Sequence, residues 1–252
     1  MAADRLDQVL VERGLCESRE KARRAIMAGQ VIVNHHPARK ASDRVRAADE
    51  ISLSAAEKYV SRGGLKLEHA LSFFQANVTG MTAVDIGAST GGFTDCLLQR
   101  GTARVYAIDV GSGQLAWKLR QDARVVVMES TNARDLTPAQ MPAGFSPVDI
   151  AVIDCSFISL TKILPVAVAL LKTSGKILAL VKPQFEAGKK EAARGKGVIT
   201  DPVIHDRVLR EMETFVAGQP QLAWRATTES PLLGPAGNKE FFALIEKTGT
   251  SD

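Results

Sequence analysis

The chain has 252 residues, 45% of them hydrophobic, and 32 Lys/Arg against 28 Asp/Glu give it a net charge of +4. That length buries one large core, or one core and a small module, and no apolar run approaches the roughly 20 residues of a membrane span. The start, Met1-Ala-Ala-Asp-Arg5, has no signal-peptide core, and the scattered Cys16, Cys96 and Cys155 fit neither a disulfide framework nor a zinc site, so a reducing, cytoplasmic protein without a metal is expected.

The positive charge is concentrated early in the chain. Nine Lys/Arg between Arg13 and Arg46 face three acids, a density that suits either a phosphate-backbone footprint or a solvated surface. Leu6, Val9 and Leu10 have helical spacing, and Gly14 closes that helix. Ser18 caps a second helix over 19–28, with Ala22, Ala25 and Ile26 inward. Arg19 and Arg23 share a face, and Arg24 lies beside them. A strand at Val31–Val33, a turn at 34–37 and a strand at 50–53 complete a small α+β unit over residues 1–55. A short linker, 56–62, leads to a second domain over 63–252. It opens on a helix over 64–76 with Leu65, Leu67, Leu71 and Phe74 inward.

From residue 81 apolar strands alternate with helical patterns. The strands are expected at 82–85, 104–109, 125–128, 149–154, 177–181, 223–227 and 241–246. Such alternation predicts an α/β domain with a mostly parallel, seven-stranded sheet and helices on both faces. Ligands of such sheets sit at the carboxyl ends of the strands.

Several polar residues fall at those ends. In Thr82-Ala-Val-Asp-Ile-Gly-Ala-Ser-Thr-Gly-Gly-Phe-Thr-Asp95 an apolar strand ends in Asp85 and a turn through Gly87, Gly91 and Gly92 opens a helix. Glycine lets backbone approach a ligand, and free N–H groups at a helix start suit an anion. Asp109, ending the second strand, can hydrogen-bond both hydroxyls of a ribose. Asn132 reads equally as a contact to an adenine edge and as a turn asparagine. Asp154-Cys-Ser-Phe157 closes the fourth strand, with Cys155 a packed small residue. Lys182, at the end of an apolar strand, needs a partner or a function to offset its desolvation. It is placed to accept a proton from a hydroxyl or to stabilise its oxygen. Lys66 and Glu240, taken singly, read as surface charges.

The loop resembles the D-x-G-x-x-x-G loop of S-adenosylmethionine (SAM) methyltransferases and departs from the dinucleotide fingerprint at Ser89, where glycine would be needed. Residues 4 to about 55, R5-L-D-Q-V-L-V-E-R-G-L-C-E-S-R-E-K-A-R-R-A-I-M-A-G-Q-V-I-V-N34, resemble the S4 RNA-binding domain, except that His35 stands where that domain more often has glycine. The motifs S-R-G-G-L-K-L, D-C-S-F-I-S-L, L-V-K-P-Q-F-E and G-N-K-E-F resemble ribose 2′-O-methyltransferases of the FtsJ type, and the whole chain resembles the TlyA family. That resemblance implies a Rossmann-like SAM-dependent methyltransferase domain behind the S4 unit, acting on cytidine in the RNA of the large ribosomal subunit and, in some members, the small one. It implies a catalytic tetrad of Lys66, Asp154, Lys182 and Glu240. Cofactor contacts are expected from Asp85, Gly87, Ala88, Ser89, Gly91, Gly92, Phe93, Asp109 and Asn132. RNA contacts are expected from Arg5, Arg19, Lys21, Arg23 and Arg24, and from a basic loop at Lys189 and Lys190. Rivals are an RNA- or ribosome-binding protein without catalysis, a nicotinamide-dependent oxidoreductase, and a membrane-active haemolysin.

Overall fold

The computed structural model describes residues 3–27, 29–53, 58–188, 191, 193 and 195–249. The chain divides into two compact units, Met1–Glu57 and Lys58–Asp252. In the first, α1 (Leu6–Glu12) and α2 (Arg19–Met27) accompany two small sheets. One pairs β1 (Asp4–Arg5) with β4 (Arg44–Val45), and the other sets β2 (Val31–Val33) between β3 (His36–Pro37) and β5 (Ile51–Leu53). Leu6, Leu10, Ala22, Ile26 and Val31 form its core, as the helical spacing predicts. The β2–β3 hairpin turns on Asn34 and His35 at φ 47° and 66°. Two successive positive φ values match the right-handed twist of a hairpin, and asparagine tolerates them better than histidine does. Asn34 is braced through its amide by the Asp49 carboxylate and the Glu50 N–H.

In the second unit a seven-stranded sheet runs through β6 (Thr82–Ile86), β7 (Arg104–Ile108), β8 (Val125–Met128), β9 (Val148–Ile153), β10 (Leu171–Val181), β11 (Leu222–Glu229) and β12 (Phe241–Lys247). Their spatial order is β11-β12-β10-β9-β6-β7-β8, and β12 alone runs antiparallel to its neighbours. Successive strand residues alternate between two cores. Ala83, Val105 and Val152 pack with Leu67 and Leu71 of α3 (Gly63–Phe73) and Leu97 of α4 (Gly92–Gln99). Val84, Ile86 and Ile153 pack with Leu160 and Leu164 of α6 (Leu160–Leu170), which follows the short α5 (Trp117–Arg120). Val208 and Met212 join that second core from α8 (Pro202–Ala217), which follows the short α7 (Pro183–Glu186).

Three expectations change. The helix over 64–76 stops at Phe73, because Gln75 takes φ 50° and ends the run in the left-handed region. Leu65 is 42% exposed rather than inward. Two positions from Leu67, it lies about 200° around the helix from the buried stripe. The strand expected at 177–181 begins at Leu171, with a register shift between Leu171 and Lys176 that the short apolar pattern does not reveal. Residues 54–57 of the linker region lie outside the described residues. Tyr59 is buried in the second unit, and the Val60 N–H donates to Asp95 in the first turn of α4.

Candidate active site

The carboxyl ends of β6, β9 and β10 and the entry to β12 meet at the edge where the strand order reverses, between β6 and β9. A cleft of about 300 Å³ opens there, lined by Gly87, Ala88, Ser89, Gly92 and Phe93 of the glycine loop together with Lys66, Asp154, Lys182 and Glu240. The four tetrad residues, scattered in the chain, therefore share one cavity.

Each lysine of that cavity faces a carboxylate. Lys66, in the first turns of α3, lies 2.5 Å from Glu240, with both side chains nearly closed to solvent. Lys182 Nζ lies 2.6 Å from Asp154 Oδ1, a charge contact without hydrogen-bond alignment, and donates to Ser156 Oγ at 3.0 Å. Lys182 is 7% exposed, so its amine belongs to the cavity and not to bulk water. The register explains the convergence. Val181 pairs with Phe241, which sets Lys182 and Glu240 beside each other at one sheet edge.

The glycine loop is shaped by close approach. Gly87 has φ 87°, and a Cβ there would come within 2.7 Å of the Asp154 carbonyl oxygen. A Cβ on Gly92 would reach 2.2 Å from Ser61 Oγ, so α4 starts hard against the entry to α3. Gly91, at φ 95°, caps α4 without lining the cleft. The Asp109 carboxylate accepts from the N–H groups of Ser89 and Gly111, each at 2.7 Å, leaving lone pairs on both oxygens. Glu129 fixes the following loop by accepting from the N–H groups of Gly113, Gln114 and Leu115. The guanidinium of Arg120 and these N–H groups pull the Glu129 carboxyl down to about 2.

Of the expected cofactor contacts, Asp85, Gly91, Asp109 and Asn132 are not among the residues that line the cleft. Asn132 caps a 3₁₀ turn, accepting from the Arg134 N–H and donating to Asp135, as a turn asparagine does. Asp85 is fully buried and accepts from the Thr94 hydroxyl at 2.7 Å instead of lining the cleft. Burial, opposed by the Thr94 contacts and reinforced by the charges of Asp154 and Asp109, pushes its carboxyl up to about 7. The folded protein thus holds a proton that the unfolded chain releases near pH 4, and stability falls as pH rises from there to about 7. Asp85→Asn should remove this slope. Its melting temperature should match the parent near pH 4 and exceed it at pH 8, by the equivalent of ~2–4 kcal/mol. Equal melting at both pH values would show that Asp85 is not held protonated.

In the N-terminal unit Arg5, Arg19 and Arg23 do not stand free. All three guanidiniums bond the carboxylate of Asp7, which is 0% exposed. Lys21 and Arg24 form exposed i,i+4 pairs with Glu17 and Glu20, contacts weak enough to be exchanged for another anion. Lys189 and Lys190 lie outside the described residues.

Sequence reasoning passed over several residues at the cleft. Arg62 and Ser156 line it, as do Leu232, Leu233 and Pro235 from the loop before β12. Phe157 is 92% exposed at φ 64°, its ring tilted 46° to that of Phe185 with the centroids 5.1 Å apart. An exposed aromatic with a left-handed backbone beside Asp154 is the kind of strain found at functional sites. Only the resemblance of the D-C-S-F segment pointed toward it.

Comparison with known proteins agrees with this geometry. The FtsJ-like methyltransferase family matches residues 59–247, and the S4 domain family matches residues 4–51. YqxC of Bacillus subtilis, which carries an rRNA methyltransferase name, is 50% identical over 98% of this chain and 86% of its own. TlyA of Mycobacterium tuberculosis, named a 16S/23S rRNA (cytidine-2′-O)-methyltransferase, is 44% identical over 96% of this chain and 89% of its own. A solved structure from Streptococcus thermophilus that carries a hemolysin name is 43% identical, with a TM-score of 0.74 over 99% of this chain and 90% of its own. Among the described residues no helix is long and apolar enough to cross a membrane. The chain belongs to the TlyA family, in which an S4 domain precedes an FtsJ-like methyltransferase domain.

Proposed function

We propose that the cleft methylates the ribose 2′-oxygen of cytidine in ribosomal RNA with SAM as donor, in the cytoplasm. The observation that carries this reading is the buried Lys182 amine beside Asp154, in one cavity with the glycine loop. The names of its relatives support cytidine and ribosomal RNA as the substrate.

The residues present fit such a donor. Gly87, Ala88, Ser89 and Gly92 offer backbone at close approach, and the first-turn N–H groups of α4 have no intrahelical acceptor, which suits a carboxylate. Asp109 keeps free lone pairs for two ribose hydroxyls. When bound, the donor supplies an electrophilic methyl on a positive sulfur.

Lys182 Nζ then takes the proton of the 2′-hydroxyl as the oxygen attacks. Asp154 and Ser156 hold the amine in place, and the buried Lys66–Glu240 pair lines the same cavity beside it. Such proton transfer is typically worth about 10²- to 10⁴-fold, and alignment supplies most of the rest. Phe157 offers an open ring for stacking a base near the reacting ribose.

Arg62 is exposed, lies one helical turn before Lys66, and forms no ion pair among the described residues. We assign it to an RNA phosphate at the rim. Arg62→Ala should weaken RNA binding about tenfold and leave SAM affinity unchanged. Loss of SAM affinity in calorimetry would instead place this guanidinium on the donor. The reading as a whole is tested by methyl transfer from labelled SAM to isolated ribosomal subunits. Binding of subunits without transfer would leave an RNA-binding protein that does no chemistry.

A further inference from the structure

We infer that Asp7 is a positioning residue for RNA, its buried carboxylate gathering Arg5, Arg19 and Arg23 into one phosphate-binding surface. The inference rests on the reading that the N-terminal unit binds RNA.

Three elements converge on this carboxylate. Asp7 lies in the first turn of α1, Arg5 ends β1, and Arg19 and Arg23 stand four apart on α2. Arg5 meets Asp7 through two nitrogens, Nε to Oδ1 at 2.9 Å and Nη2 to Oδ2 at 3.3 Å. Arg19 Nη2 and Arg23 Nε reach the same Oδ2 at 3.0 and 3.2 Å. The acid is 0% exposed, while the three arginine side chains are 34%, 48% and 53% exposed. An approaching phosphate therefore meets guanidinium N–H groups first, with the carboxylate screened behind them.

The charge balance favours a binding role over a neutral clamp. One carboxylate offsets one of three cations, so the surface keeps a net excess of positive charge. Each guanidinium has five N–H donors, and most remain available. Without Asp7 the three cations would repel one another and spread over many rotamers. With it they are fixed before the ligand arrives, so less freedom is lost on binding. The neighbouring pairs Lys21–Glu17 and Arg24–Glu20 differ, because there both partners are exposed and the acid stands in solvent.

The test exploits opposite signs. If only charge mattered, removing a negative group beside a phosphate site would tighten binding. Asp7→Asn in the full chain should instead bind purified large-subunit ribosomal RNA about tenfold more weakly. The slope of log affinity against log salt, between about 50 and 200 mM KCl, should become shallower by about one, the signature of a lost phosphate contact. Equal or tighter binding with an unchanged or steeper slope overturns the inference. Val9→Ala, a core change in the same helix, controls for stability. Should it weaken binding equally once the folded fraction is accounted for, Asp7 is only structural and the inference falls. If Arg19→Gln and Arg23→Gln leave affinity unchanged, the RNA-binding reading of this unit fails with it. If they weaken binding and Asp7→Asn does not, only the role of Asp7 is lost.

Discussion

Lys182→Ala should lose methyl transfer by about 10²- to 10⁴-fold while still binding SAM. The amine is buried at the cleft and touches Asp154 and Ser156, and the glycine loop that would receive the donor lies apart from it in the chain. Folding should survive, because the Asp154 side chain is 24% exposed and water can solvate it once its partner is gone. Lys182→Arg separates two roles for the amine. Arginine keeps the positive charge and the contact to Asp154 but does not release a proton. If the lysine accepts the proton of the 2′-hydroxyl, the arginine variant is as inactive as the alanine variant. Activity near the parent level would mean that positive charge alone suffices. Calorimetry with SAM and labelled transfer to subunits give the two readouts.

Glu240→Ala should be the most destabilising single change at the site. Glu240 is 1% exposed and Lys66 10%, so removing the carboxylate strands a buried ammonium. Breaking such a pair costs about 3–5 kcal/mol, or roughly a 10 °C fall in melting temperature for a domain of this size. The double variant Lys66→Met with Glu240→Leu should recover most of that loss, because apolar residues of similar volume replace buried ion pairs without penalty. It should remain inactive. Recovery of both stability and activity would reduce the pair to a scaffold, and a Glu240→Ala protein that melts like the parent would show that Lys66 finds water.

The fold was legible because its signals are local. Apolar runs ending in Asp85, Asp109, Asp154 and Lys182 mark strand ends, and Gly87 and Gly92 occupy positions where a Cβ would strike backbone. The meeting of Lys66, Asp154, Lys182 and Glu240 in one cavity was not legible from pattern. Lys66 and Glu240 are separated by 174 positions, and only the resemblance to a family joined them before the packing of α3 against the sheet did. Residue type also hid roles. Asp85 looked like a ligand contact, yet its side chain points into the protein and bonds Thr94. Arg5, Arg19 and Arg23 were read as RNA contacts with no sign of a shared partner, while the acid they all bond, Asp7, sits within an ordinary amphipathic helix start. Arg62 at the cleft and the exposed Phe157 ring stand out only by their exposure, a property that no local spacing encodes.

The most direct test is the chemical position of the added methyl group. Ribosomal RNA treated with the protein and SAM is digested to nucleosides and resolved by mass spectrometry, beside RNA treated with the Lys182→Ala variant. The account predicts 2′-O-methylcytidine with the parent protein and none with the variant. A methyl on the cytosine ring, or 2′-O-methylcytidine formed equally by both proteins, would contradict it.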